Sequence, residues 1–180
     1  MKILLSSALL LVSSWACGQD SLGVQPPSAA VKMAPAGLVT AMQGKSVEVP
    51  LSFRVASGYH INSNQPKSEF LIPTVLDIDA TTDIVIGGTT YPEGRDMSFA
   101  FAPDEKLSVY TGDFTVNVMV HPLLSVQPGK YIVRGKLKYQ ACDNSACYPP
   151  KKLPVSFDVK IAKAPRAAHK NPAQSPHAHQ

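Results

Sequence analysis

The sequence predicts an all-β chain, an antiparallel β-sandwich of one domain. Seven or so short segments alternate apolar and polar residues with a period of two, and turn signals separate them. Sixteen prolines fall largely between or beside those segments, and nowhere does a long 3.6-residue period appear. Residues 37–162 form the expected domain, which is ample length for one core.

Residues 1–18 start with a lysine, Lys2, continue as an apolar run over 3–12, and end in small residues up to Ala16. This is the layout of a bacterial-type export signal, and the run is too short to span a bilayer. No other stretch approaches membrane length, so the mature chain is expected to be soluble or held by a lipid, in an oxidising compartment. Cys17 is an odd cysteine, a liability in an exported protein. Its setting, Ser14-Trp15-Ala16-Cys17, is similar to a lipoprotein processing site, in which the cysteine carries the lipid, although Ser14 stands where Leu is usual. The alternative is an ordinary cleavage after Ala16 or Gly18 that strands or removes Cys17. Residues 19–36 are rich in Pro, Ser, Ala and Gly and are expected to be a flexible tether.

Residues 45–55 put Val47, Val49, Leu51, Phe53 and Val55 on one face and Ser46, Glu48, Ser52 and Arg54 on the other, the pattern of a half-buried strand. A turn at Ala56-Ser57-Gly58 leads to Tyr59-His60-Ile61-Asn62. Weaker strand candidates follow at 70–78 and 82–86, the latter closed by Gly87-Gly88. Residues 91–105 lack clean periodicity and read as a loop holding Phe99 and Phe101, either satellites of the core or a lid. Strand pattern resumes at 107–110 and 114–120, and Pro122 and Pro128-Gly129 mark a turn. The last apolar faces are Tyr131, Val133, Leu137 and Tyr139, then Val155, Phe157, Val159 and Ile161. Residues 163–180, of Pro, Ala, His and Lys, are too polar to pack and are expected to be a disordered tail.

Between the last two strands lies Tyr139-Gln140-Ala141-Cys142-Asp143-Asn144-Ser145-Ala146-Cys147-Tyr148-Pro149-Pro150. The cysteines therefore belong at or beside the tip of a hairpin, where cross-strand neighbours come within disulfide reach. A bridge closing so small a loop removes little chain entropy, roughly 2 kcal/mol, so redox work competes with a plain structural staple. Thiol exchange needs a thiolate, access and a resolving cysteine. Asp143 would keep a neighbouring thiol protonated, whereas Lys138, Lys151 and Lys152 would do the reverse if folded near it.

The Tyr-Gln-Ala-Cys stretch with its second cysteine and Tyr-Pro-Pro, together with Gly58-Tyr59-His60-Ile61-Asn62 and Tyr91-Pro92-Glu93-Gly94, resembles the amino-terminal periplasmic domain of the membrane thiol:disulfide reductase DsbD. The likeness runs from about residue 39 to 161. It implies an immunoglobulin-like sandwich in the periplasm and a redox-active Cys142–Cys147 pair that needs no bound cofactor. It also implies partners of two kinds, thioredoxin-like periplasmic proteins and a membrane electron carrier of the DsbD or CcdA type. An aromatic loop shields the pair in that family, and by order along the chain Phe101, with Phe99 second, takes that place. Tyr59, His60, Asn62, Asp143 and Tyr148 are the expected wall of the site. His60 and Asn62 fall where the family often carries aromatic hydroxyls, so proton transfer by His60, whose ordinary pKa is about 6.5, would be a departure from it; a surface or packing role is the alternative. The C-x4-C spacing is shorter than in the best-known members, and no transmembrane helices or thioredoxin-like domain follow, so a stand-alone version with a separate donor is expected.

Two other readings stay open. One is a non-catalytic immunoglobulin-like binding module with a structural disulfide. The other is a metal site built from Cys142, Cys147 and His121, which lacks a fourth ligand at convincing spacing. His169, His177 and His179 could catch a divalent metal, but their irregular spacing favours a solvated tail. A formal net charge of +4 with scattered basic residues gives no nucleic-acid footprint.

Overall fold

The computed structural model describes residues 30–79 and 81–165. The expected export signal, Cys17 and the tail histidines lie outside the described residues. Twelve strands follow in chain order: β1 (Val31–Met33), β2 (Val39–Met42), β3 (Val47–Val55), β4 (His60–Asn62), β5 (Val75–Ile78) and β6 (Ile84–Thr90). The second half contributes β7 (Arg95–Phe99), β8 (Ala102–Tyr110), β9 (Asp113–Pro122), β10 (Gly129–Tyr139), β11 (Ala141–Cys142) and β12 (Lys151–Ala162).

Period-two alternation builds the two large sheets. On β3 it buries Val49, Leu51, Phe53 and Val55, and on β9 Phe114, Val116, Val118 and Val120. These strands pair antiparallel from Val47↔Val120 to Arg54↔Asp113, inside a sheet of order β1-β3-β9-β6. In the other, of order β2-β12-β10-β5, β10 and β12 pair antiparallel over their whole shared length, and β2 runs parallel to β12. Val133, Leu137, Val155, Phe157, Val159 and Ile161 face the first sheet's residues in one continuous core. Phe53 stacks on Phe114 with ring centroids 5.3 Å apart. A third, smaller sheet, β11-β4-β8-β7, gathers the cysteine segment and the aromatic hairpin. The chain is an all-β, immunoglobulin-like antiparallel sandwich.

The structure departs from the sequence expectation in several places, among them the strand expected over 70–78, which is strand only at Val75–Ile78. The segment expected to be tether supplies β1, whose Val31 pairs with Val55 and is buried together with Ala30. β6 runs on through Gly87 and Gly88 instead of ending there, because a register shift between Ile86 and Gly88 absorbs the irregularity. The loop expected over 91–105 is mostly the β7–β8 hairpin, with Phe99 ending β7 and Phe101 in the turn. One consequence is testable. Deleting everything before Gly37 removes β1 and re-exposes the core at Val55, and burying one Val is worth about 1.5–3 kcal/mol. That truncation should therefore lower the urea midpoint by an amount corresponding to roughly 2–4 kcal/mol; an unchanged midpoint would mean that β1 contributes nothing to stability.

Candidate functional site

The β10–β12 ladder closes at Tyr139↔Lys151, leaving residues 140–150 as its tip. The tip does not stand free. β11 leaves the ladder and pairs antiparallel with β4, putting Ala141 opposite Ile61 and Cys142 opposite His60. Cys142 and Cys147 face each other across an isolated bridge and are joined by a disulfide, with Cα atoms 4.0 Å apart. The two ends of the bond live in different surroundings. Cys142 is completely buried, whereas Cys147 is exposed.

Asp143 fastens the short loop. Its Oδ1 accepts the backbone N–H groups of Ser145 (2.7 Å) and Ala146 (2.9 Å), and its Oδ2 accepts the Tyr148 hydroxyl at 2.6 Å. The Tyr148 bond, followed by the two backbone bonds, holds the Asp143 carboxyl below its ordinary pKa. In return the carboxylate, through that hydrogen bond first, pushes the Tyr148 phenol up to about 12. The Tyr148 N–H donates to the Ala141 carbonyl (2.8 Å), and Gln140 Nε2 donates to the Tyr148 carbonyl (3.1 Å), so the chain leaving Cys147 is tied to the chain entering Cys142. Tyr59 meets the Tyr148 ring at 6.0 Å.

The aromatic hairpin reaches the same place. A register break between Met97 and Phe99 lets the hairpin end leave the plane of its ladder, and the Phe99 ring stacks on the His60 imidazole with centroids 3.7 Å apart. Phe101 stacks beside Phe99 at 5.6 Å and is 38 % exposed, against 7 % for Phe99. Of the two rings, Phe99 makes the close contact with His60 and Phe101 forms the outer layer of the stack. Phe99 also packs in a small apolar cluster with Leu107 and Val109. Met97, Phe99, His60, Tyr59, Gly58 and Asn144 line an open cleft of about 530 Å³ beside the loop. Asn144 and Met97 were not singled out from sequence; the position of Asn144 between the two cysteines was the available signal.

His60 is 2 % exposed, and burial lowers its pKa to about 4 against a smaller opposing pull from Asp143. Its Nε2 is buried without a hydrogen-bond partner, as is Asn62 Oδ1, while Asn62 Nδ2 donates to the Ile72 carbonyl at 3.0 Å. Of the three lysines that could help ionise a thiol, Lys138 is engaged elsewhere: with Lys136, it pairs with Asp77 of β5. His121 sits on β9 with its Nδ1 3.0 Å from Ser46 Oγ, and among the described residues no cluster of three or more His, Cys, Asp or Glu side chains could hold a metal ion.

Solved structures similar to the chain include the DsbD n-terminal domain of Neisseria meningitidis in its reduced form, 21 % identical, spanning 76 % of this chain and 90 % of that one with a TM-score of 0.40. A type I cohesin from Pseudobacteroides cellulosolvens is 16 % identical, with 76 % and 97 % covered and a TM-score of 0.44. No curated protein matches the sequence. The family model described as "Thiol:disulfide interchange protein DsbD, N-terminal" matches residues 28–158, which takes in β1 to most of β12 and the whole cysteine loop. With a cysteine disulfide at the tip of the β10–β12 hairpin and this match over most of its length, the chain belongs to the DsbD N-terminal domain family.

Proposed function

We propose that the protein is a periplasmic thiol–disulfide relay, passing reducing equivalents from a membrane electron carrier of the DsbD or CcdA type, through Cys142 and Cys147, to thioredoxin-like proteins. Export to the periplasm, with or without a lipid on Cys17, belongs to the same reading. The observation that carries it is the asymmetry of the disulfide, one sulfur-bearing residue exposed and the other wholly buried, within a chain of this family.

Exchange proceeds by attack of a thiolate on one sulfur of a disulfide through a mixed-disulfide intermediate. The exposed member, Cys147, is the one that a donor's thiolate reaches. Its attack forms a donor–Cys147 bond, breaks the Cys147–Cys142 bond, and leaves the electron pair on Cys142. The donor's second thiol then releases Cys147, so the pair is reduced and the donor oxidised. Delivery to a client is the reverse: Cys147 attacks the client disulfide, and Cys142 resolves the intermediate.

The test is direct. A reduced thioredoxin-fold protein should reduce the native disulfide without denaturant, and Cys142→Ser should accumulate a mixed disulfide that Cys147→Ser does not form. The reduction potential should lie above about −300 mV, where labile bridges are found. Resistance to every such partner in native buffer, with a lower potential, would favour a structural disulfide in a binding module.

A further inference from the structure

Cys142 is the half of the pair that solvent does not reach, and the resolving step needs its proton to leave. Among the described residues, His60 offers a place for it. Cys142 and His60 are directly opposite on antiparallel strands, an arrangement that puts two side chains on the same face with Cβ atoms about 4.5–5.5 Å apart. His60 is itself more than nine-tenths buried, and its Nε2 has no partner while the disulfide is intact. A buried acceptor left without a donor is costly in the interior, and the oxidised bridge has no hydrogen to give it. The reduced pair does.

We propose that His60 is the proton acceptor for the resolving thiol: in the reduced protein the Cys142 S–H donates to His60 Nε2, and this nitrogen takes the proton when Cys142 attacks. The proposal rests on the exchange reading above. In the step itself, Cys147 is already bonded to a sulfur of the client. The Cys142 S–H bond breaks, its proton goes to Nε2, and the sulfur's electron pair forms the Cys142–Cys147 bond. The Cys147–client bond breaks and its electron pair leaves on the client sulfur as a thiolate. The client disulfide has gained two electrons and the Cys142–Cys147 dithiol has lost them. The imidazolium then returns its proton to the departing thiolate or to solvent.

The surroundings leave the ring without a proton on its acceptor nitrogen in the resting state. Phe99 and Phe101 cover the ring with apolar surface, so a neutral imidazole is the resting form, consistent with its lowered pKa. Asp143 is the charge that favours a transient imidazolium. Arg54, which lines the same cleft, has its guanidinium engaged by Asp113. A fixed positive charge is therefore not competing with the proton. Asn62, the other buried residue with an orphaned acceptor, lies two positions along on the same strand, opposite Val109 rather than the cysteine.

A two-phase reaction of the reduced protein with 5,5′-dithiobis(2-nitrobenzoate) separates the two halves. The first phase, attack by Cys147, releases one thionitrobenzoate; the second, resolution by Cys142, releases another. In His60→Leu the first phase should keep its rate, and the second should slow about tenfold near pH 7, recovering at higher pH as the thiol ionises unaided. His60→Gln keeps a polar acceptor but no useful base, and should show the same slow second phase even if His60→Leu fails to fold. A second phase with unchanged rate and pH profile in the folded variants would overturn the role of His60 while leaving the relay intact. Absence of both phases in the wild-type protein would overturn the relay reading and this proposal with it.

Discussion

Phe157→Ala is expected to cost about 3–5 kcal/mol, because Phe157 is a buried member of the core between the two large sheets and its removal leaves a cavity that strands cannot collapse around. Phe101→Ala should instead leave stability nearly unchanged and alter cysteine reactivity. Phe101 is more than one-third exposed, in the turn of the β7–β8 hairpin, and its loss should change stability by about 1 kcal/mol or less. Its ring extends the stack that begins with Phe99 on His60, the residue paired with Cys142. Apolar cover there excludes water and bulky thiols, so stripping its outer layer should speed reduction of the disulfide by a small thiol and alkylation of the reduced pair. Phe99→Ala should speed both further, but with a stability loss, since Phe99 also packs with Leu107 and Val109. The measurement is alkylation rate against unfolding midpoint for the three variants. Unchanged cysteine reactivity in Phe101→Ala and Phe99→Ala would show that the stack supports the hairpin and guards nothing.

The parts of this architecture legible in the sequence are those in which local pattern and long-range packing agree. β3, β9 and β12 each carry four or more buried positions and β10 carries three, all spaced by two or four residues, so period two locates them. β1 and β2 are three and four residues long and carry one buried residue each, too few for a period to show. They exist because the sandwich offers them edges at Val55 and Ile161. The β7–β8 hairpin was hidden by Pro103 and by the charged run Asp104-Glu105-Lys106, all on exposed positions where polarity says nothing against a strand. At the site, the cysteine loop followed from hairpin geometry. The surroundings of His60 did not, since its burial depends on β11 crossing from the β10–β12 ladder to β4 and on Phe99 arriving from a third strand.

That burial predicts a steep acid limb in the stability of the oxidised protein. His60 has an ordinary pKa of 6.5 in the unfolded chain and about 4 in the fold, with desolvation the larger cause and Asp143 opposing it. Between those values the unfolded chain holds a proton that the folded protein does not, so stability rises with pH across the interval. The contribution is fully present above about pH 6.5 and is lost progressively as pH falls toward about 4. At 1.36 kcal/mol for each pH unit, the loss is about 3 kcal/mol. The carboxylates act in a different window. Asp77, Asp113 and Asp143 all have pKa values held below 3.8 by their partners, so the stability they contribute is present above that value and disappears only on further acidification. Urea unfolding of the oxidised protein should therefore show a midpoint falling between pH 6.5 and 4, followed by a second fall below pH 3.8. His60→Leu removes the ionisable group from an apolar stack, and it should flatten the first fall and leave the second. If the wild-type and His60→Leu midpoints fall in parallel through the first window, His60 is protonated in the native state and the imidazole cannot be the neutral, buried group that the geometry describes.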